Sequence, residues 1–178
     1  MDLKNVALVI GMIVGIVLSV LIIRMINKDG KFKTKYDEMQ EIVRGRAYKY
    51  AFWTLVCFEA LVITWDAMGI PAFLSGYAVQ FLGIIIAVMV QVNYSIWNNA
   101  YIGLNTNPRR FAIISIIIGI FNLLVCTCNT HLYSAMVVNG RLNDSVINLV
   151  TAFCFVIIGV ELFIKHNKDK AESESGEE

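Results

Sequence analysis

Five stretches of this chain are apolar from end to end, which leaves little room for any fold except helices in lipid. A helix crossing about 30 Å of hydrocarbon needs roughly 20 mostly apolar residues. The stretches at 6–26, 47–65, 72–93, 111–129 and 146–164 meet or approach that length. They are apolar on all sides, as lipid exposure requires, so length and polar punctuation define them better than periodicity does. None alternates in polarity over about ten residues, as the strand of a membrane barrel would. Composition agrees: 57% of the residues are hydrophobic and 16% charged, where soluble domains run near 45–50% and 25%. The expected fold class is all-α, a polytopic transmembrane helical bundle forming one domain over 1–168. The acidic tail 169–178 has too little apolar surface to fold and is expected to be disordered.

Orientation follows from the placement of Lys and Arg in short loops. If the spans alternate, one side carries Arg24, Lys28, Lys31, Lys33, Lys35, Arg44, Arg46, Lys49, Arg109, Arg110, Lys165, Lys168 and Lys170. The other side carries only Lys4 and Arg141. The expectation is an N-terminus outside and a C-terminus in the cytoplasm. The first run is longer than the 7–15 residues of a secretory h-region, its positive charge follows it, and no A-x-A site comes after. It is read as a retained span; cleavage would leave four.

Two segments on the cytoplasmic side stand out. Thr34-Lys35-Tyr36-Asp37 has the spacing of a capping box with Thr34 at the cap, opening an amphipathic helix start over 36–49 that runs on into span two. Gly45 is its candidate bend. The basic segment 24–49 is suited to anionic lipid, or serves only to set topology. In span one, Ala7, Gly11, Gly15 and Ser19 recur every four residues and form a groove for a close helix. That groove takes either a second copy, a partner membrane protein, or another span of the same chain.

The run Lys35-Tyr36-Asp37-Glu38-Met39-Gln40-Glu41-Ile42-Val43-Arg44-Gly45-Arg46-Ala47-Tyr48-Lys49-Tyr50-Ala51-Phe52 resembles a motif of small bacterial multi-span membrane proteins of unknown function. In that family Tyr-Asp-Glu-Arg-Gln, then Arg-Gly-Lys-x-Tyr-Lys-Tyr, precedes the second hydrophobic helix. Met39 stands where the motif has Arg, and Arg46 where it has Lys. The segment Asn99-Ala100-Tyr101-Ile102-Gly103-Leu104-Asn105-Thr106-Asn107-Pro108-Arg109-Arg110 is similar to the second cytoplasmic loop of the same family. The resemblance implies a bacterial plasma-membrane protein and no established activity. Both motifs fall on one side, so the two loops are expected to touch, with Arg109 and Arg110 meeting Asp37, Glu38 or Glu41.

Glu59 is the most unusual residue, since an acid at mid-membrane costs roughly 2.5–3.5 kcal/mol and needs a partner. Counting about 1.5 Å per residue from the outer helix ends places Glu59, Gln80, Asn122 and Thr151 at one depth, about 8–12 Å below the surface. This polar layer is either a proton- or cation-responsive site or a set of contacts that fixes helix register. Asp66 lies two turns from Glu59, and Glu161 precedes Lys165 in the favourable i,i+4 order. Cys57, Cys126, Cys128 and Cys154 read as ordinary buried thiols. Cys126-Thr127-Cys128 cannot aim both thiols at one ion on a regular helix, so no metal is expected, and His131 is read as interfacial. No phosphate loop, nucleophile elbow, zinc motif or dinucleotide fingerprint occurs, nor the matched halves of an inverted-repeat transporter.

The sequence therefore points to a non-enzymatic accessory, sensor or interaction protein of the cell membrane, without cofactor or nucleic-acid partner. The alternative is a small transporter or channel centred on Glu59.

Overall fold

The computed structural model describes residues 3–70, 76–132, 137–138, 141–142 and 145–175. Five helices make up nearly all of it: α1 (Leu3–Ile26), α2 (Glu38–Ala67), α3 (Gly76–Trp97), α4 (Pro108–Leu132) and α5 (Ser145–Ser175). A short antiparallel hairpin, β1 (Val137–Val138) with β2 (Arg141–Leu142), lies between α4 and α5. All five helices are long and apolar enough to cross a membrane. At most 28% of any spanning window is buried inside the protein, so most of the Leu, Ile, Val and Phe surface faces outward. In water such a surface would aggregate; in hydrocarbon it is the solvated surface.

The helix ends follow local chemistry. α2 starts at Glu38 with Asp37 as its cap, which corrects the Thr34 capping box expected from spacing. The Asp37 carboxylate accepts from the Gln40 amide at 2.7 Å, and Gln40 Oε1 accepts from the Asp37 amide at 3.3 Å. Asp37 wins because a carboxylate accepts more strongly than a hydroxyl and Gln40 lies three residues on to reciprocate. α2 then runs unbroken through Gly45 to Ala67, without the expected bend. It closes at Gly69, whose φ of +67° suits a residue lacking Cβ. α4 opens at Asn107, whose Oδ1 accepts from the Arg110 amide at 3.1 Å, with Pro108 in the first turn where its missing N–H costs nothing.

The helices pack as two antiparallel pairs, α2 with α3 and α4 with α5, joined where α3 meets α5. The α4–α5 pair is the tightest because small residues line it. A Cβ on Gly119 would lie 2.8 Å from Val156 Cγ2 and 3.0 Å from the Ala152 carbonyl, and one on Gly159 would lie 2.5 Å from Ile116 Cγ1. Ala112, Ser115 and Ala152 are also buried. In α2–α3, the Phe58 ring lies across Gly83. The main apolar core sits where α3, α4 and α5 meet, around Val92, Ile96, Ala112, Ile158 and Leu162.

α1 stands apart. It makes slight contact with α4, and nothing lies within 4 Å of a Cβ built on Gly11 or Gly15. Among the described residues, Gly11 and Gly15 of the small-residue face are therefore not packed against another span of the same chain. The side chain of Ala7 lies outside the described residues, as do residues 72–75 at the expected start of span three. The helix of span five continues to Ser175, so residues 169–175 are helical where the acidic tail was expected to be disordered. Three i,i+4 ion pairs accompany this extension: Lys165–Asp169 at 2.8 Å, Lys168–Glu172 at 3.8 Å and Lys170–Glu174 at 3.6 Å. Each adds a few tenths of a kcal/mol to a helix already started in the span.

Candidate functional site

The densest polar structure in the molecule is the junction between the α1–α2 loop (27–37) and the α3–α4 loop (98–107). Two short stretches of backbone run side by side there. Lys28 N donates to the Asn105 carbonyl at 2.7 Å, Asn107 N to the Ile26 carbonyl at 3.1 Å, and Leu104 N to the Lys35 carbonyl at 2.8 Å. At the base, Thr106 Oγ1 donates to Asn27 Oδ1 at 2.8 Å, and both residues are buried.

Asn105 is the centre of the junction. Its Oδ1 accepts from Lys35 N at 2.8 Å, while its Nδ2 donates to the Lys33 carbonyl at 3.0 Å and the Asp29 carboxylate at 3.1 Å. The Lys31 amide and the Asn105 side chain hold the Asp29 carboxyl below its ordinary value, so Asp29 is ionised through the physiological range. Gly103 is the closest approach: a Cβ there would collide with Thr34 Cγ2 and lie 2.7 Å from the Lys35 carbonyl. Gln40 completes the contact from α2, its Nε2 donating to the Asn99 carbonyl at 2.8 Å and the Ile102 carbonyl at 3.1 Å. Asn99 presents that carbonyl from a left-handed conformation, φ +58°, which Asn tolerates better than most residues.

The two motif loops therefore meet, but not through the expected ion pairs. Among the described residues the ion pairs within 4 Å are the three of α5. Arg110 donates instead to the Met25 carbonyl at the end of α1, at 3.4 Å. Arg109, Glu38 and Glu41 are exposed, and Asp37 is occupied as the α2 cap. Arg44 stacks on the Tyr36 ring at 3.7 Å and donates to Tyr48 Oη at 3.3 Å. Beneath them Tyr101 is half-buried against Phe111. Burial pushes its phenol up to about 12, with Tyr36 adding to the rise and Arg44 opposing it.

The expected polar layer is only partly assembled. With its amide turned to donate, Gln80 places its nitrogen 2.7 and 2.8 Å from the two carboxylate oxygens of Glu59, so these two do pair. Asn122 instead donates to the Ile118 carbonyl of its own helix at 2.9 Å. Thr151 lies on α5, which does not pack on α2. Of the four, Glu59 and Gln80 are thus brought together, while the Asn122 amide is bonded within its own helix.

Glu161 does not make the i,i+4 pair expected of it. Lys165, its expected partner, pairs with Asp169. Glu161 Oε2 and Asn93 Oδ1 are buried with no hydrogen-bond partner. No cluster of three metal-ligating side chains and no disulfide occurs among the described residues. No family model, curated protein or solved structure matches this chain.

Proposed function

We propose that the chain is a multi-pass protein of a bacterial plasma membrane, N-terminus outside and C-terminus in the cytoplasm, that acts by binding another membrane protein. It is a non-enzymatic accessory or interaction protein. The bundle of α2 to α5 is its body, the loop junction its rigid cytoplasmic base, and α1 its docking arm. The observation that carries this reading is the open face of α1: among the described residues nothing lies within 4 Å of a Cβ built on Gly11 or Gly15, while the base of the same helix is hydrogen-bonded to both loops. A helix held at one end and bare along a small-residue face is suited to close packing with a foreign helix. The partner contact is assigned to the outer half of α1, around Gly11.

A transporter centred on Glu59 is less well supported, since the Asn122 amide is bonded within its own helix and not to the Glu59–Gln80 pair. The interaction reading is tested by purification from native membranes in gentle detergent, with the intact complex weighed. A foreign membrane protein is expected in fixed stoichiometry, reduced at least tenfold by Gly11→Leu with the melting temperature unchanged. Recovery of the chain alone, or as copies of itself only, would count against it.

A further inference from the structure

The inner half of α1 differs from its outer half, because a groove opens there. Gly15, Ile16, Ser19, Val20 and Ile23 line one side and Phe32 of the α1–α2 loop the other, of an open groove of about 460 Å³. The lining is mainly apolar, and the Ser19 hydroxyl donates to the Gly15 carbonyl at 2.8 Å. From Gly15 to Ile23 the groove runs about 12 Å along the helix at 1.5 Å per residue. One leaflet of a hydrocarbon core about 30 Å thick spans about 15 Å, so the groove is one acyl chain long.

Its mouth is cationic. Arg24 follows Val20 by one turn, on the same face, and its Nε donates to the Gly30 carbonyl at 3.2 Å. That bond ties the guanidinium to the loop. Lys31 and Lys33 flank Phe32, and both are exposed, as is Lys28. The nearby acid, Asp29, is turned to Asn105 and the Lys31 amide on the junction side. The groove thus has an apolar lining, with the exposed Arg24 one turn beyond Val20 and the exposed Lys31 and Lys33 on either side of Phe32 in the chain.

We propose that this groove seats an acyl chain of an anionic phospholipid whose phosphate is held by Arg24, Lys31 and Lys33. The charge selects the headgroup and the groove selects a lipid over a soluble phosphate. The proposal rests on the chain spanning a membrane but not on its binding a partner helix, so either can fail without the other.

The test is native mass spectrometry of the purified full chain, titrated with phosphatidylglycerol or phosphatidylcholine of identical acyl chains. Phosphatidylglycerol is expected to be retained at least tenfold better, consistent with several cations each favouring an anionic lipid. Arg24→Gln/Lys31→Gln/Lys33→Gln should reduce it to the phosphatidylcholine level, and Ser19→Leu, which fills the groove, should reduce both lipids. If the triple variant fails to fold, Lys31→Gln/Lys33→Gln alone is expected to lower phosphatidylglycerol retention at least fivefold. Lys165→Gln/Lys168→Gln/Lys170→Gln removes the same charge elsewhere and should change retention less than twofold. Equal retention of the two lipids, an undiminished signal in Ser19→Leu, or an equal loss in the α5 variant would overturn the proposal.

Discussion

Replacing Gly103 with alanine is expected to destabilise the protein by about 2 kcal/mol, the cost of forcing a methyl into a filled space. In a chain of this size that is a fall of about 4–8 °C in melting temperature. The new Cβ would meet Thr34 Cγ2 and the Lys35 carbonyl, and the second of these is backbone held in place by Leu104 N. The loop cannot yield without breaking that bond, and with it the contacts of Asn105. Gly45→Ala is the contrasting case. Gly45 lies within α2 with nothing within 4 Å of a built Cβ, so alanine there should gain up to about 1 kcal/mol from helix propensity. Thermal unfolding in detergent, followed by circular dichroism, checks both. A Gly103→Ala protein as stable as wild type would mean that the two loops are not packed as described.

The second large effect is expected at the α4–α5 interface. Gly119→Leu and Gly159→Leu should each cost about 3 kcal/mol or more, because each side chain would displace backbone of the facing helix, the Ala152 and Ala112 carbonyls respectively. Combined, they should cost clearly less than the sum of the two. Once one leucine has parted the helices, the other finds room, as is usual for residues that share one interface. Gly11→Leu on α1 should leave stability unchanged, having nothing to strike. Equal losses at Gly11 and Gly159 would place α1 inside the bundle.

That contrast shows what the sequence makes legible. Segment length and apolar content are one-dimensional properties, so five helices long and apolar enough to span a membrane could be read directly. Small residues at a spacing of four drew attention to α1, where they are conspicuous against Ile, Val and Leu. Yet the tight helix contact uses Ala112, Ser115 and Gly119 facing Ala152 and Gly159, whose spacing is less regular. Close packing needs a matching surface on the other helix, and a single helix cannot display that.

The loops show the same limit at smaller scale. Their meeting was foreseen from two motifs on one side of the chain. The expected chemistry was ionic, because Arg109, Arg110, Asp37, Glu38 and Glu41 are the charged residues in view. The bonds found are instead backbone pairs with Asn27, Asn105 and Thr106 between them. Exposed ion pairs contribute little, about 0–1 kcal/mol, whereas a half-buried loop must satisfy every amide and carbonyl. Three Asn residues within 99–107 were the available signal, since Asn side chains pair with backbone where helices and strands do not. Likewise counting residues groups Glu59, Gln80, Asn122 and Thr151, but it cannot tell that Gln80 meets Glu59 while Asn122 bonds within its own helix.

The junction of the two loops is the central structural claim, and one disulfide tests it. In a chain whose four cysteines are replaced by serine, Lys35→Cys and Leu104→Cys place thiols on residues joined by a 2.8 Å backbone hydrogen bond. Mild oxidation of native membranes is expected to link them rapidly within one chain. Failure to link, while both thiols still react with maleimide, would show that the loops do not meet and would contradict the structure at its best-defined polar contact.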